Sequence, residues 1–165
     1  MTEIRDQFLS AMSAAGTTVY VVTTDGKGGR NGVTVSAMSS VSADMDDPTL
    51  LVCIHHLSPA ADAIKTNGAF AVNMLRSHQS EISDVFAGRG NAGKDKFSHV
   101  NWHKMETGAP VLTDALVSFD CRLHQVERVG THFIMIGAVV AIHHPEEGDA
   151  LVYSKRSYGR FEKIA

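Results

Sequence analysis

From Thr17 onward the chain falls into short β-branched stretches separated by turn residues, and this texture constrains the fold more than any other feature. Thr17 to Thr24 reads as a strand, and Asp25 to Gly32 is turn chemistry whose glycines allow positive φ. Gly32 to Ala43 reads as a second strand. Thr49 to Ile54, apolar throughout, reads as a third and central one. Ala69 to Leu75, Leu116 to Leu123, Gly130 to Ile142 and Ala150 to Ser154 complete about seven strands. In Leu116 to Leu123 the alternation is clean. Val117, Phe119, Cys121 and Leu123 share a face, and Ser118, Asp120, Arg122 and His124 share the solvated one.

Three helices are expected, and they do not interleave regularly with the strands. Ile4, Phe8 and Met12 form a stripe that stops at Gly16. Ser58-Pro59 opens a helix ending at Asn67-Gly68, and Ser77 caps one carrying Ile82, Val85 and Phe86. Arg89 to His103 reads as loop with one helical turn near Lys96. Such a pattern predicts a mostly β protein, an antiparallel barrel with helical additions rather than a doubly wound sheet. At 165 residues, without repeats or linker, one domain over 1–165 is expected.

Charge and hydropathy exclude several function classes. A net charge of −3 gives no electrostatic footprint for nucleic acid or an anionic membrane surface. The apolar stretch Phe133 to Ile142 is far short of the roughly 20 residues that span a bilayer. With no secretory leader and only Cys53 and Cys121, both inside apolar runs, the expected compartment is the cytoplasm.

Two motif types are misleading. Gly88 to Gly93 matches G-x-G-x-x-G, but a helix rather than a strand precedes it, and Asp95 stands where a phosphate loop needs a hydroxyl. The pairs His55-His56 and His143-His144 point to opposite faces of a strand, so neither pair chelates one ion unaided. No H-E-x-x-H, C-x-x-C or G-x-S-x-G is present, and no metal is expected.

The informative segment is Gly32-Val-Thr-Val-Ser-Ala-Met-Ser-Ser-Val-Ser42. On a pleat Val33, Val35, Ala37 and Val41 face the core, and Thr34, Ser36, Ser40 and Ser42 line up hydroxyls opposite. That row reads either as a solvated strand face or as a platform. On a platform, small side chains let a flat ring approach the backbone, while N–H groups and hydroxyls bind its carbonyls and phosphate.

Together with Leu51-Val-Cys-Ile54, Phe70-Ala-Val-Asn-Met-Leu75, Phe86-Ala-Gly88, Lys96-Phe97, Gly130 to Gly137 and Leu151 to Tyr158, this segment resembles the short-chain flavin reductase family. The resemblance runs from about Phe8 to Phe161. It is strongest to the reductase component of two-component aromatic monooxygenases of the 4-hydroxyphenylacetate 3-monooxygenase type. The resemblance implies the FMN-binding split barrel, with FMN or FAD and NADH (NADPH possible) as cofactors. It implies Val33, Thr34, Val35, Ser36 and Ala37 along the isoalloxazine, and Ser39 and Ser40 toward the ribityl phosphate. Ser58 is implied as a phosphate ligand, and Phe86, Gly88, Arg89 and Phe97 near the flavin tail. His132 is implied between nicotinamide and flavin, in a Gly-Thr-His that replaces the commoner Gly-Asp-His. Arg156, Ser157 and Tyr158 are implied at the dinucleotide. A homodimer and a separate flavin-dependent oxygenase as partner are further implications. The alternative is a non-catalytic flavin-binding or electron-transfer module on the same barrel.

Overall fold

The computed structural model describes residues 2–89 and 93–164. Helix α1 spans Glu3–Ser13. Strands β1 (Thr17–Thr18), β2 (Tyr20–Thr24), β3 (Asn31–Val35), β4 (Met38–Ser42) and β5 (Thr49–His55) follow, then α2 (Pro59–Asn67), β6 (Ala69–Met74) and α3 (Ser80–Phe86). After a 3-10 turn at Lys96–His99 come β7 (Trp102–Lys104), β8 (Pro110–Leu112), β9 (Val117–Val129), β10 (His132–His143), β11 (Leu151–Ser154) and β12 (Ser157–Arg160).

The main sheet has seven antiparallel strands in the order β3-β2-β6-β9-β10-β5-β4. Its two outermost strands are consecutive in the chain and are joined by Ser36 and Ala37 alone. Two linking residues span at most about 11 Å between Val35 and Met38, at 3.8 Å per Cα step. Seven strands laid flat would be about 29 Å wide, at 4.8 Å per interval. The sheet must therefore curl until its margins meet. β3 and β4 stay unpaired with each other, so the barrel is split along that seam.

The predicted strand over Gly32 to Ala43 is thus two strands, broken where the chain crosses the seam. The expected core face breaks with it: Val41 lies beside a register shift on β4 and is 51% exposed. Strand β5 is paired on both sides, by β10 and β4, but stands one place from the margin rather than at the centre.

The barrel interior is packed with Val22, Val52, Ile54, Ile64, Phe70, Val72, Cys121 and Met135. Gly137 on β10 makes room for Phe70, since a Cβ there would lie 2.6 Å from the ring. Burial pushes the Cys121 thiol up, with Asp120 adding to it, which keeps the group a protonated core residue. A second core lies outside the barrel and joins Val19, Val21, Leu75, Phe86, Phe97, Leu112 and Leu151. Strand β2 runs between the two and is buried at every position.

The short antiparallel pair β7–β8 was not foreseen, and it changes β9. Ser118 and Asp120, expected on a solvated face, are fully buried beneath neighbouring segments. Ser118 Oγ donates to Asn73 Oδ1 (2.8 Å), and the Thr107 N–H (2.9 Å) and hydroxyl both donate to Asp120. Strand β12 was also missed. It follows β11 through Lys155 and Arg156, both left-handed (φ 49° and 62°) without the glycine or asparagine that usually signals such a turn. Helix α3 begins three residues after Ser77, whose N–H instead donates to Asp149 O.

Helix α1 forms as the stripe predicts, yet Ile4, Phe8 and Met12 are all exposed, at 71%, 59% and 53%. Among the described residues no helix is long and apolar enough to cross a membrane. None of them form a group of three or more metal-ligating side chains suited to an ion.

Candidate functional site

The seam is where small side chains, backbone polar groups and charge come together. Ser36 and Ala37 are exposed and lie outside the strand ladders. Among the described residues their main-chain hydrogen bonds are made through the carbonyls only. Met38 N–H donates to Ser36 O (3.2 Å), and Cys53 N–H donates to Ala37 O (3.0 Å). Two N–H groups are thereby left for water or a ligand.

On one side of this crossing lies a cleft of about 180 Å³, lined by Val19, Thr34, Val35, Ser36, Ser83, Ala87, Arg89, Tyr153 and Tyr158. Thr34 Oγ1 donates to Ser83 O (2.7 Å) and so is held inward rather than free in a hydroxyl row. Tyr158 OH lies 2.9 Å from Ser83 Oγ and 2.7 Å from Asp84 Oδ1. Burial, and then the Asp84 carboxylate, raise the Tyr158 phenol above its ordinary range, against Ser83 and Arg89. The phenol therefore stays protonated at neutral pH. Arg89 pairs with Asp84 at 3.1 Å, and its pKa is raised first by a hydrogen bond with Tyr153. The cleft thus carries one fixed cation and two phenols.

On the other side of the crossing the strand ends of β5 and β10 bring three imidazoles together. His132 opens β10 opposite His55, with ring centroids 5.1 Å apart edge to face, and His55 stacks on His56 at 5.0 Å. His55 Nδ1 accepts the Leu57 N–H (3.2 Å). The His56 pKa is lowered by desolvation first, then by Arg128, His55 and His132. Ladder spacings put Ala37 and His132 two strands and two residues apart, about 12 Å. Ser58 caps α2 three residues past His55, with its side chain making no capping bond.

The predicted site residues therefore divide. Thr34, Val35, Ser36, Arg89 and Tyr158 share the cleft, and Ala37 borders it. Ser58 and His132 lie at the β5–β10 end. Val33 packs against the barrel interior. Ser39 is exposed with its hydroxyl on Ser40 O, and Ser40 lines a separate hollow of about 220 Å³ with Val41, Leu50 and Phe119. Phe86 and Phe97 pack in the second core: their rings meet edge to face at 5.3 Å and are 1% and 6% exposed. Gly88 turns the chain after α3 with φ 80°. Arg156 and Ser157 are exposed at the β11–β12 turn and do not line the cleft. Of the glycine motif, Gly90, Asn91 and Ala92 lie outside the described residues. Sequence reasoning missed Ser83, Asp84 and Tyr153, which carry no local motif, and the approach of His55 to His132 across 77 positions.

The family model for the flavin reductase like domain matches residues 12–162. The chain belongs to that family. It is 41% identical over 154 residues to the FMN reductase (NADH) RutF of Ancylobacter novellus, covering 93% of this chain and 83% of the relative. The flavin reductase PheA2 superposes with a TM-score of 0.85 at 29% identity, covering 99% of this chain and all of the other. The NADH:FAD oxidoreductase SgcE6 of Streptomyces globisporus, solved with NAD and FAD fragments, gives 0.86 at 26% identity, covering 98% and 94%. Split-barrel architecture and family thus agree with the resemblance in the sequence.

Proposed function

We propose that the chain is an NADH-dependent flavin reductase, with FMN the first flavin to test and NADPH a possible second donor. The observation that carries this reading is the seam crossing. Ser36 and Ala37 leave open backbone at the mouth of a cleft that also holds a fixed guanidinium and a protonated phenol. Small side chains admit a flat ring, N–H groups suit its carbonyls, and Arg89 suits a phosphate. When bound, flavin would accept a hydride at N5 from nicotinamide C4. The residues bind, orient and stabilise; no nucleophile or strong base is needed.

In this reading Val33 to Ala37 lie along the ring, Ser58 with the α2 N-terminus and Arg89 with Tyr158 take the anionic groups of the flavin and the dinucleotide, and His132 receives the nicotinamide. Reduced flavin then serves a separate oxygenase, and the whole chain works as one domain in the cytoplasm. Purified protein mixed with NADH and excess FMN in air is expected to oxidise NADH over many turnovers, followed by nicotinamide absorbance. No oxidation with NADH or NADPH would leave only a flavin-binding module.

His132→Ala is expected to raise the Michaelis constant for NADH or slow hydride transfer by on the order of 10-fold, through misplacement rather than a lost proton. The flavin dissociation constant should stay near wild type. Unchanged NADH affinity and unchanged reduction rate in stopped flow would make His132 a bystander.

The protein is also proposed to be a homodimer, because the α1 stripe has no cover within its own chain. Sedimentation should give twice the mass of one chain, and Phe8→Glu should shift the species toward monomer. A wild-type monomer at every concentration would reject this.

A further inference from the structure

The polar wall of the cleft hangs on two successive residues of α3. Ser83 O receives Thr34 Oγ1 at 2.7 Å, and Ser83 Oγ lies 2.9 Å from Tyr158 OH. Asp84 Oδ1 takes two donors, Tyr158 OH from β12 at 2.7 Å and Arg89 Nη1 from the loop just after α3 at 3.1 Å. Arg89 also returns its backbone N–H to Asp84 O at 2.9 Å, which holds the base of the side chain against the same residue. One carboxylate therefore links α3, the loop that follows it and β12.

We propose that Asp84 is a positioning residue of the flavin site, fixing the Arg89 guanidinium and the Tyr158 phenol on the cleft wall so that an anionic ligand meets them in place. The inference rests on the flavin-reductase reading above. Arg89 is long and its side chain is 61% exposed, so without a partner it samples many rotamers and must be ordered each time a ligand binds. Asp84 does that ordering beforehand. Its own negative charge repels a phosphate, but water at the open mouth screens this longer-range effect more than it weakens a direct hydrogen bond. Positioning should therefore outweigh repulsion, and removing the charge should weaken binding.

The test is a double-mutant cycle read as the FMN dissociation constant, by titration of wild type, Asp84→Asn, Arg89→Ala and the double variant, with the Michaelis constant for NADH alongside. Each single variant is expected to bind FMN about 10-fold more weakly. The double variant should bind within about twofold of Arg89→Ala alone, because Asp84 acts through Arg89. Asp84→Glu, which keeps the charge, should recover most of the affinity. The α3 side chain of Asp84 is 40% exposed, and thermal melting of each variant separates a lost fold from a lost position.

Wild-type affinity in Asp84→Asn, tighter binding in it, or losses that add fully in the double variant would each overturn the inference. If Asp84→Asn melts far below wild type, Asp84→Glu decides: binding as weak as in Arg89→Ala would also overturn it. A wild type that binds no FMN removes the functional reading and this inference together. A wild type that binds and turns over beside an unaffected Asp84→Asn removes the inference alone.

Discussion

Asn73→Ala should cost about 3–5 kcal/mol of stability and lower the melting temperature by about 10 °C or more. Asn73 is fully buried on β6, and its amide is satisfied on every side. Its Oδ1 accepts the Leu112 N–H at 2.9 Å and the Ser118 hydroxyl at 2.8 Å. Its Nδ2 donates to Val21 O at 2.9 Å and to Thr23 Oγ1 at 3.1 Å. Truncation strands a buried main-chain N–H and a buried hydroxyl, each costing about 1–3 kcal/mol, and adds a small cavity. For a chain of this size each kcal/mol moves the melting temperature by about 2–4 °C. Asn73→Asp should fare no better, because a carboxylate would set an oxygen against Val21 O and bury a charge. Denaturant unfolding measures this directly. A loss below about 1 kcal/mol would mean that water or a rearranged β8 satisfies the orphaned groups.

The same network explains why part of the fold was legible in the sequence and part was not. Strands β6 and β9 begin within one residue of the apolar stretches read for them, at Ala69 and Val117. Helix α2 begins and ends at the Ser58-Pro59 and Gly68 signals, with Gly68 left-handed at φ 71°. What failed was everything that depends on a distant partner. Ser118 and Asp120 look like a solvated face because nothing local announces that β8 and the loop around Thr107 will cover them. The break at Ser36-Ala37 has no glycine or proline to signal it. It follows from barrel closure, a property of all seven strands and their order. Lys155 and Arg156 occupy a tight turn that their residue types disfavour, so β12 was invisible to turn chemistry.

The site divides along the same line. The small, hydroxyl-rich segment was recognisable, and Thr34 to Ser36 do reach a cleft. Ser40 shares a sequence pattern with Ser36, but the seam lies between them and puts Ser40 against another hollow. Phe86 and Phe97, expected near the flavin tail, also pack in the second core. Gly32 exists for that core as well: a Cβ there would lie 2.6 Å from the Phe86 ring. A residue's place in a familiar stretch therefore does not say whether it touches a ligand or holds up the wall behind it.

Ser36→Phe separates these roles most sharply. Ser36 is exposed, lies at the crossing between β3 and β4, and lines the cleft beside Arg89 and Tyr158. Its side chain is exposed and makes no hydrogen bond among the described residues, so replacement should leave the melting temperature within a few degrees of wild type. A phenyl ring there would occupy a cleft of only about 180 Å³ and cover the open N–H groups of the crossing. A bound flavin would have to displace the ring or lose its own seat. FMN affinity is therefore expected to fall on the order of 100-fold, about 2.7 kcal/mol. Ser36→Ala leaves the backbone and the space intact and should cost only the one hydroxyl contact, about 1 kcal/mol. NADH oxidation at low FMN should fall in the same order, with partial recovery when FMN is raised. If Ser36→Phe folds and binds FMN as wild type does, the flavin does not lie against the seam, and the cleft belongs to some other ligand.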